Sequence, residues 1–297
     1  MKWENLREEE FGPAIERSGG VCVMAVGCLE KHGQHLPVGT DSLKGDRIVE
    51  LAAEKADVMM FPTTMWLGDV TASHSFVNAE KTRKHGFIGI STETLFTVFQ
   101  ELCDEIARNG FKKIILCNSH GGNATILSML TRAHFYKKRD YALMSVRAYD
   151  FTGELEPKNM LARVKADPEY FSMLTDEDIK TLERFAETGT GGGHADFRET
   201  ALVYGTHPHL VRPDKFDAES GRHVHRLQIP EKFGIGTYQT YLTNNKNVYA
   251  GFPPFGCTET IGQAAVKMSV DRLVEIFEFF KGYDDIVDSM HELNEEQ

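Results

Sequence analysis

FKKIILCNSHGGN, residues 111–123, is the stretch on which the fold turns. Behind a basic pair, the run Ile114-Ile115-Leu116-Cys117 has the length and β-branched content of a strand buried on both faces, as in a parallel sheet. Polarity then switches at once to Asn118, Ser119, His120, Gly121, Gly122 and Asn123, and residues 124–135 carry Ile126, Leu127, Met129 and Leu130 at helical spacing. A strand that ends in His-Gly-Gly-Asn and opens a helix places an imidazole and bare backbone amides at the carboxyl edge of a sheet. Open α/β folds bind their ligands at that edge. Taken alone, the segment reads equally well as a tight turn with a hydrogen-bonding histidine.

A second cluster tips the balance. The apolar run Val21 to Val26 is followed by GCLEKHGQHLPVGTD, residues 27–41, which is too polar for a core and too ordered in residue type for a linker. Side chains two apart in extended backbone face the same way, so Glu30 and His32 converge on one point, and Asp41 returns to it if Pro37 and Gly39 turn the loop. A third cluster, HADFRET at 194–200, follows a glycine-rich stretch at 189–193 and adds His194 and Glu199. Two histidines (His32, His120) with three carboxylates (Glu30, Asp41, Glu199) suit a borderline-hard divalent ion such as zinc, manganese or iron. Five ligands exceed what one ion usually takes from protein in a catalytic site, whereas two ions sharing a carboxylate would use them all.

Around these clusters, short apolar runs at 58–64 and 141–148 alternate with helical patterns at 46–56, 91–109 and 260–281. That alternation predicts an α/β fold of three layers, α/β/α, with a mostly parallel central sheet, and one domain over 1–297. The charge-rich segment 152–193 reads as a helical insertion or lid, and 285–297 as a frayed acidic tail. A net charge of −11 over 297 residues argues against nucleic acid or an anionic membrane as partner. No apolar run reaches membrane-spanning length and the first residues show no leader pattern, so a cytoplasmic protein is expected. Five cysteines without a C-x-x-C pair point to small buried hydrophobes rather than disulfides or a thiolate zinc site.

GCLEKHGQHLPVGTD resembles the E-x-H-G-x-H-L-P-x-x-T-D signature of the creatininase (creatinine amidohydrolase) family. NSHGGN is similar to that family's N-G-H-G-G-N, HADFRET to its H-A-G-E-x-E-T, and GFPPFGCTETIG to its C-terminal loop. The resemblance spans about residues 20–280. It implies a creatininase-like α/β/α domain, commonly in a homohexamer, that hydrolyses a non-peptide C–N bond of a small molecule with a hydroxide between two divalent ions. Carried over by position, Glu30 and His120 bind one ion, His32 and Glu199 the other, and Asp41 bridges them. His194 falls on the histidine near the scissile bond, and the amides of Gly121, Gly122 or Asn123 are placed to stabilise an oxyanion. The chain also departs from creatininase itself. Gly121 and Gly122 replace a Tyr and a metal-binding Glu, Asp196 and Phe197 replace the Gly and Glu of H-A-G-E, and the only tryptophans are Trp3 and Trp66. These differences point away from creatinine as substrate.

His35 reads as a supporting loop residue, His74 and His85 as histidines of a long loop that merit testing, and Lys31, Lys81, Arg83 and Arg198 as possible anion-binding groups. Two competing functions are a non-catalytic metal- or ligand-binding homologue and a metal-dependent isomerase or lyase acting on a sugar-like ligand. Intact ligands speak against the first. The second needs a base that abstracts a proton from carbon.

Overall fold

A computed structural model describes residues 1–70, 86–188, 193–216, 229–230, 233 and 253–295. Four parallel strands form the sheet: β1 (Val21–Val26), β2 (Met59–Met60), β3 (Lys113–Asn118) and β4 (Ala142–Arg147), in the order β2-β1-β3-β4. β1 and β3 pair in register from Val21 with Lys113 to Val26 with Asn118, so their carboxyl ends finish level. Both clusters that follow these strands therefore leave the sheet at the same edge.

The nine α-helices of the described residues are α1 (Phe11–Arg17), α2 (Thr40–Lys55), α3 (Thr92–Arg108), α4 (Asn123–Ala133), α5 (Pro157–Ala166), α6 (Asp176–Thr188), α7 (Phe197–Thr206), α8 (Glu259–Lys281) and α9 (Ile286–Glu295). Alternate strand residues divide between two cores, as a doubly covered sheet requires. Val21, Val23, Ala25, Ile115 and Cys117 pack with Ile48 and Val49 of α2, Ala201 of α7 and Leu273 of α8. Cys22, Met24, Ile114 and Leu116 pack on the other face with Leu95 and Phe99 of α3 and Ile126 and Leu127 of α4. The three-layer α/β/α expectation holds.

Several boundaries differ for identifiable reasons. α2 starts at Thr40 rather than near 46, because Pro37 O accepts from both the Thr40 amide and hydroxyl and turns the chain straight into the helix. Residues 152–188 of the expected insertion join the core rather than lying over it. Met160, Leu161 and Val164 of α5 and Leu182 and Phe185 of α6 are buried in the α2/α8 cluster, and the charges that made it look peripheral lie on its outer face. Asp178 of α6 ties it down, accepting from Thr258 Oγ1 at 2.6 Å and Thr260 Oγ1 at 2.7 Å at the start of α8. The acidic C-terminus is helical through Glu295, anchored by buried Ile286. Residues 189–192 of the glycine-rich stretch lie outside the described residues, as do Ser73, His74, Lys81, Arg83, His85, His223 and His225.

α7 and α8 cross at a pair of glycines. A methyl on Gly262 would stand 2.4 Å from Ala201 O and 2.5 Å from Gly205 N, and one on Gly205 would stand 2.2 Å from Gly262 O. Side chains at this crossing would force the helices apart. Gly262→Ala is therefore expected to destabilise the chain by about 2 to 3 kcal/mol, measured as a lowered unfolding midpoint, and to weaken metal binding by displacing Glu199 on α7. An unchanged midpoint would show that the crossing tolerates a methyl.

Candidate metal centre

Three side chains come from the loop between β1 and α2 and the helix it opens. Glu30 and His32 lie in the loop, and Asp41 lies in the first turn of α2, on the helix rather than in the loop the sequence suggested. His120 follows β3 by two residues, and its amide donates to Asn118 Oδ1 at 3.0 Å. His194 and Glu199 flank the N-terminus of α7, where Asp196 caps the helix by accepting from the Arg198 and Glu199 amides. Ala195 between them has φ of +52°, a left-handed conformation costly for a residue with a Cβ. Strain of this kind persists where the surroundings fix it, and here the Ala195 amide donates to Glu199 Oε2 at 2.5 Å.

All six expected metal and catalytic side chains meet, and all are buried or largely so. His120 Nδ1 lies 2.8 Å from Asp41 Oδ2 and 3.2 Å from Glu30 Oε1. His32 Nε2 lies 3.4 Å from both Asp41 Oδ1 and Glu199 Oε2 and 3.8 Å from Glu30 Oε1. The two oxygens of Asp41 thus face different imidazoles, the arrangement a bridging carboxylate needs. His194 Nδ1 lies 3.5 Å from Glu30 Oε1, and its ring stacks on His32 at 4.3 Å. Donor atoms of Cys28, Glu30, Asp41 and His120, of His32, Asp41 and Glu199, and of Glu30, His32 and His194 each fall within 4.8 Å of one another.

The three imidazoles share one pattern. Each has one ring nitrogen against a backbone carbonyl: His32 Nδ1 on Glu30 O at 3.2 Å, His120 Nε2 on Asp69 O at 2.9 Å and His194 Nε2 on Lys31 O at 2.6 Å. A carbonyl only accepts, so that nitrogen carries a proton, and the other is aimed into the carboxylates, where it can give its lone pair to a metal ion once its own proton is displaced. Metal-binding histidines are fixed in this way. Gly68 makes the Asp69 contact possible, since a methyl there would overlap Gly27 O at 1.9 Å. His32 Nε2 is buried without a hydrogen-bond partner among the described residues.

The electrostatics ask for cations. Burial alone would raise the Glu30 carboxyl, but the His120 ring beside it outweighs burial, and the carboxyl is held down to about 2. Burial alone would lower His32, yet Asp41 and Glu199 push it up to about 9. His194 is the exception: burial, reinforced by His32, holds it below the usual imidazole range, so it stays neutral.

Sequence reading missed three participants. Cys28, grouped with the buried hydrophobes, lies with its thiol 3.2 Å from Asp41 Oδ2. Lys44 on α2 reaches both Asp41 Oδ1 and Glu199 Oε1 at 2.5 Å, and only its spacing of one helical turn from Asp41 hinted at this. The Asp69 carbonyl carries no side-chain signal at all. Two expectations need correction. Asn123 is structural: its side chain accepts from the Asp69 amide at 2.7 Å and donates to Gly27 O at 3.0 Å, and its amide donates to His120 O, so that amide is not available to an oxyanion. Arg198 is engaged by Asp150 at 2.8 Å and Asp196 at 3.0 Å rather than left for a substrate anion. His35 Nε2 meets Oγ1 of Thr200, the residue after Glu199, at 3.2 Å.

Fold and site together define an α/β protein with a carboxylate–imidazole cluster, suited to divalent metal, at the carboxyl edge of its sheet. The sequence profile described as creatinine amidohydrolase, that of the creatininase family, matches residues 4–277, and the chain belongs to that family. It is 21% identical over 219 residues to a creatinine amidohydrolase of Pseudomonas putida, covering 71% of this chain and 73% of that protein. Among solved structures, a creatinine amidohydrolase (creatininase) superposes with a TM-score of 0.63 at 17% identity, covering 95% of this chain and 98% of that one. A structure titled creatininase Mn gives 0.59 at 18% identity, with 93% and 98% covered. Among the described residues no helix is long and apolar enough to cross a membrane.

Proposed function

We propose that this chain is a metal-dependent amidohydrolase that cleaves a C–N bond of a small cyclic amide or formamide, with two divalent ions in half-sites that share Asp41. The observation that carries the reading is the set of three imidazoles, each tied by one nitrogen to a backbone carbonyl and aimed by the other at buried carboxylates. Glu30, Asp41 and His120 would hold one ion, and His32, Asp41 and Glu199 the other. Nitrogen and oxygen donors of this kind suit zinc, manganese or iron, and related creatininases are titled with Mn and as a Zn-Zn type.

Such ions supply an ionised water at neutral pH and polarise a carbonyl oxygen. The remaining work falls to the chain. His194, neutral and with Nδ1 facing the cluster, takes a proton released there and returns it to the departing nitrogen, which must leave as a neutral amine. Lys31 O holds the ring in the required tautomer. Gly121, exposed at the start of α4, is the amide left to meet a developing oxyanion, since Gly122 packs beside His120 Nε2 and Asp69 O. Burial of all the acids and bases keeps bulk water from screening these interactions.

The test is metal analysis of the purified chain followed by a panel of lactams and formamides scored for acid or amine release. Metal-dependent turnover of at least one class is expected. Bound metal with no hydrolysis across the panel would overturn the reading in favour of a binding protein or an isomerase.

A further inference from the structure

The geometry points to unequal half-sites: Lys44 leaves one ion tightly bound, at Glu30, Asp41 and His120, and weakens the site at His32, Asp41 and Glu199. The inference rests on the hydrolase reading only in needing a divalent ion at the cluster. Lys44 is wholly buried, and its ammonium lies 2.5 Å from Asp41 Oδ1 and 2.5 Å from Glu199 Oε1. Those are two of the three residues of the second half-site. The Tyr149 ring lies 5.1 Å from the ammonium, and the Tyr149 hydroxyl donates to Ser119 O at 2.8 Å, so this wall is fixed to the end of β3.

The charges make the same distinction. Three carboxylates set against one ammonium leave two negative charges, which one divalent ion neutralises. A second divalent ion would share Asp41 Oδ1 with the ammonium among buried side chains, where like charges repel several times more strongly than in water. The first half-site escapes this, because it uses Asp41 Oδ2, on the side of the carboxylate turned toward His120 and Cys28. An ammonium on a helix one turn from the bridging carboxylate thus does part of the work of a second ion: it neutralises Asp41 and Glu199 and holds them in place.

The experiment is titration of the chelator-stripped full chain with Mn²⁺ alone and with Zn²⁺ alone, followed by equilibrium dialysis and elemental analysis, with the Mn²⁺ samples also examined by electron paramagnetic resonance for coupled ion pairs. The wild type is expected to hold one ion tightly and a second at least about a hundredfold more weakly. Lys44→Met, and Lys44→Gln as a second variant, should hold two ions of comparable affinity and show the coupled Mn–Mn signal at two equivalents. Two equally tight ions in the wild type would overturn the inference, whether or not the variants fold, and leave the hydrolase reading standing. So would folded variants whose second ion remains as weak as in the wild type. Failure of the wild type to bind any divalent ion would remove the hydrolase reading itself, and the inference with it.

Discussion

Asp41→Asn is expected to lower hydrolysis by at least about a thousandfold and to strip the chain of bound divalent metal in the same preparation. Both oxygens of Asp41 are in use: Oδ2 faces His120 and the Cys28 thiol, and Oδ1 faces His32 and Lys44. An amide presents only one acceptor, and its NH₂ would point at an imidazole or an ammonium whichever way it is turned. The substitution is nearly isosteric, so packing is kept, but among the described residues Lys44 is left with Glu199 as its carboxylate partner. Breaking a buried ion pair costs about 3 to 5 kcal/mol when nothing replaces it, and a smaller loss is expected here because Glu199 remains. Elemental analysis, calorimetric unfolding and turnover on one sample would separate the effects. Normal metal content in Asp41→Asn would remove Asp41 from the centre.

His194→Ala is expected to lower kcat by about a hundred- to ten-thousandfold while metal content stays at the wild-type level. The ring meets the centre only through Nδ1, 3.5 Å from Glu30 Oε1, and stacks on His32, and burial keeps it neutral and ready to accept a proton. Its position among donors of Glu30 and His32 also admits ligation. The two roles part on one measurement: loss of metal in His194→Ala would make it a ligand, and retained metal with slowed turnover would make it the proton carrier.

How much of this was legible in the sequence follows from what each residue does. The strand at 113–118 and the level ends of β1 and β3 follow from continuous apolar runs, which only a sheet covered on both faces accommodates. Glu30, His32, Asp41 and His120 could be picked out because polar residues packed after buried strands have no use in a core. Lys44 could not, since a lysine within a helix ordinarily reaches solvent, and only the fold shows that this one points inward. Cys28 was hidden by the same habit of reading a lone cysteine as apolar filling. Asn123 misled in the opposite direction: its place at a helix start suggested an oxyanion donor, whereas its side chain stitches the end of β1 to Asp69. The segment containing α5 and α6 looked peripheral because helical charge is visible in sequence, while the face that buries Met160 and Phe185 shows only once its partners are known.

The central claim is that Glu30, Asp41 and His120 hold a divalent ion at the carboxyl edge of the sheet. Crystals of the full chain grown with Zn²⁺ and measured at the zinc absorption edge test it most directly. The account predicts an anomalous peak about 2.1 Å from His120 Nδ1 and from oxygens of Glu30 and Asp41. An anomalous map without a peak at that point, from a chain saturated with zinc, would contradict it.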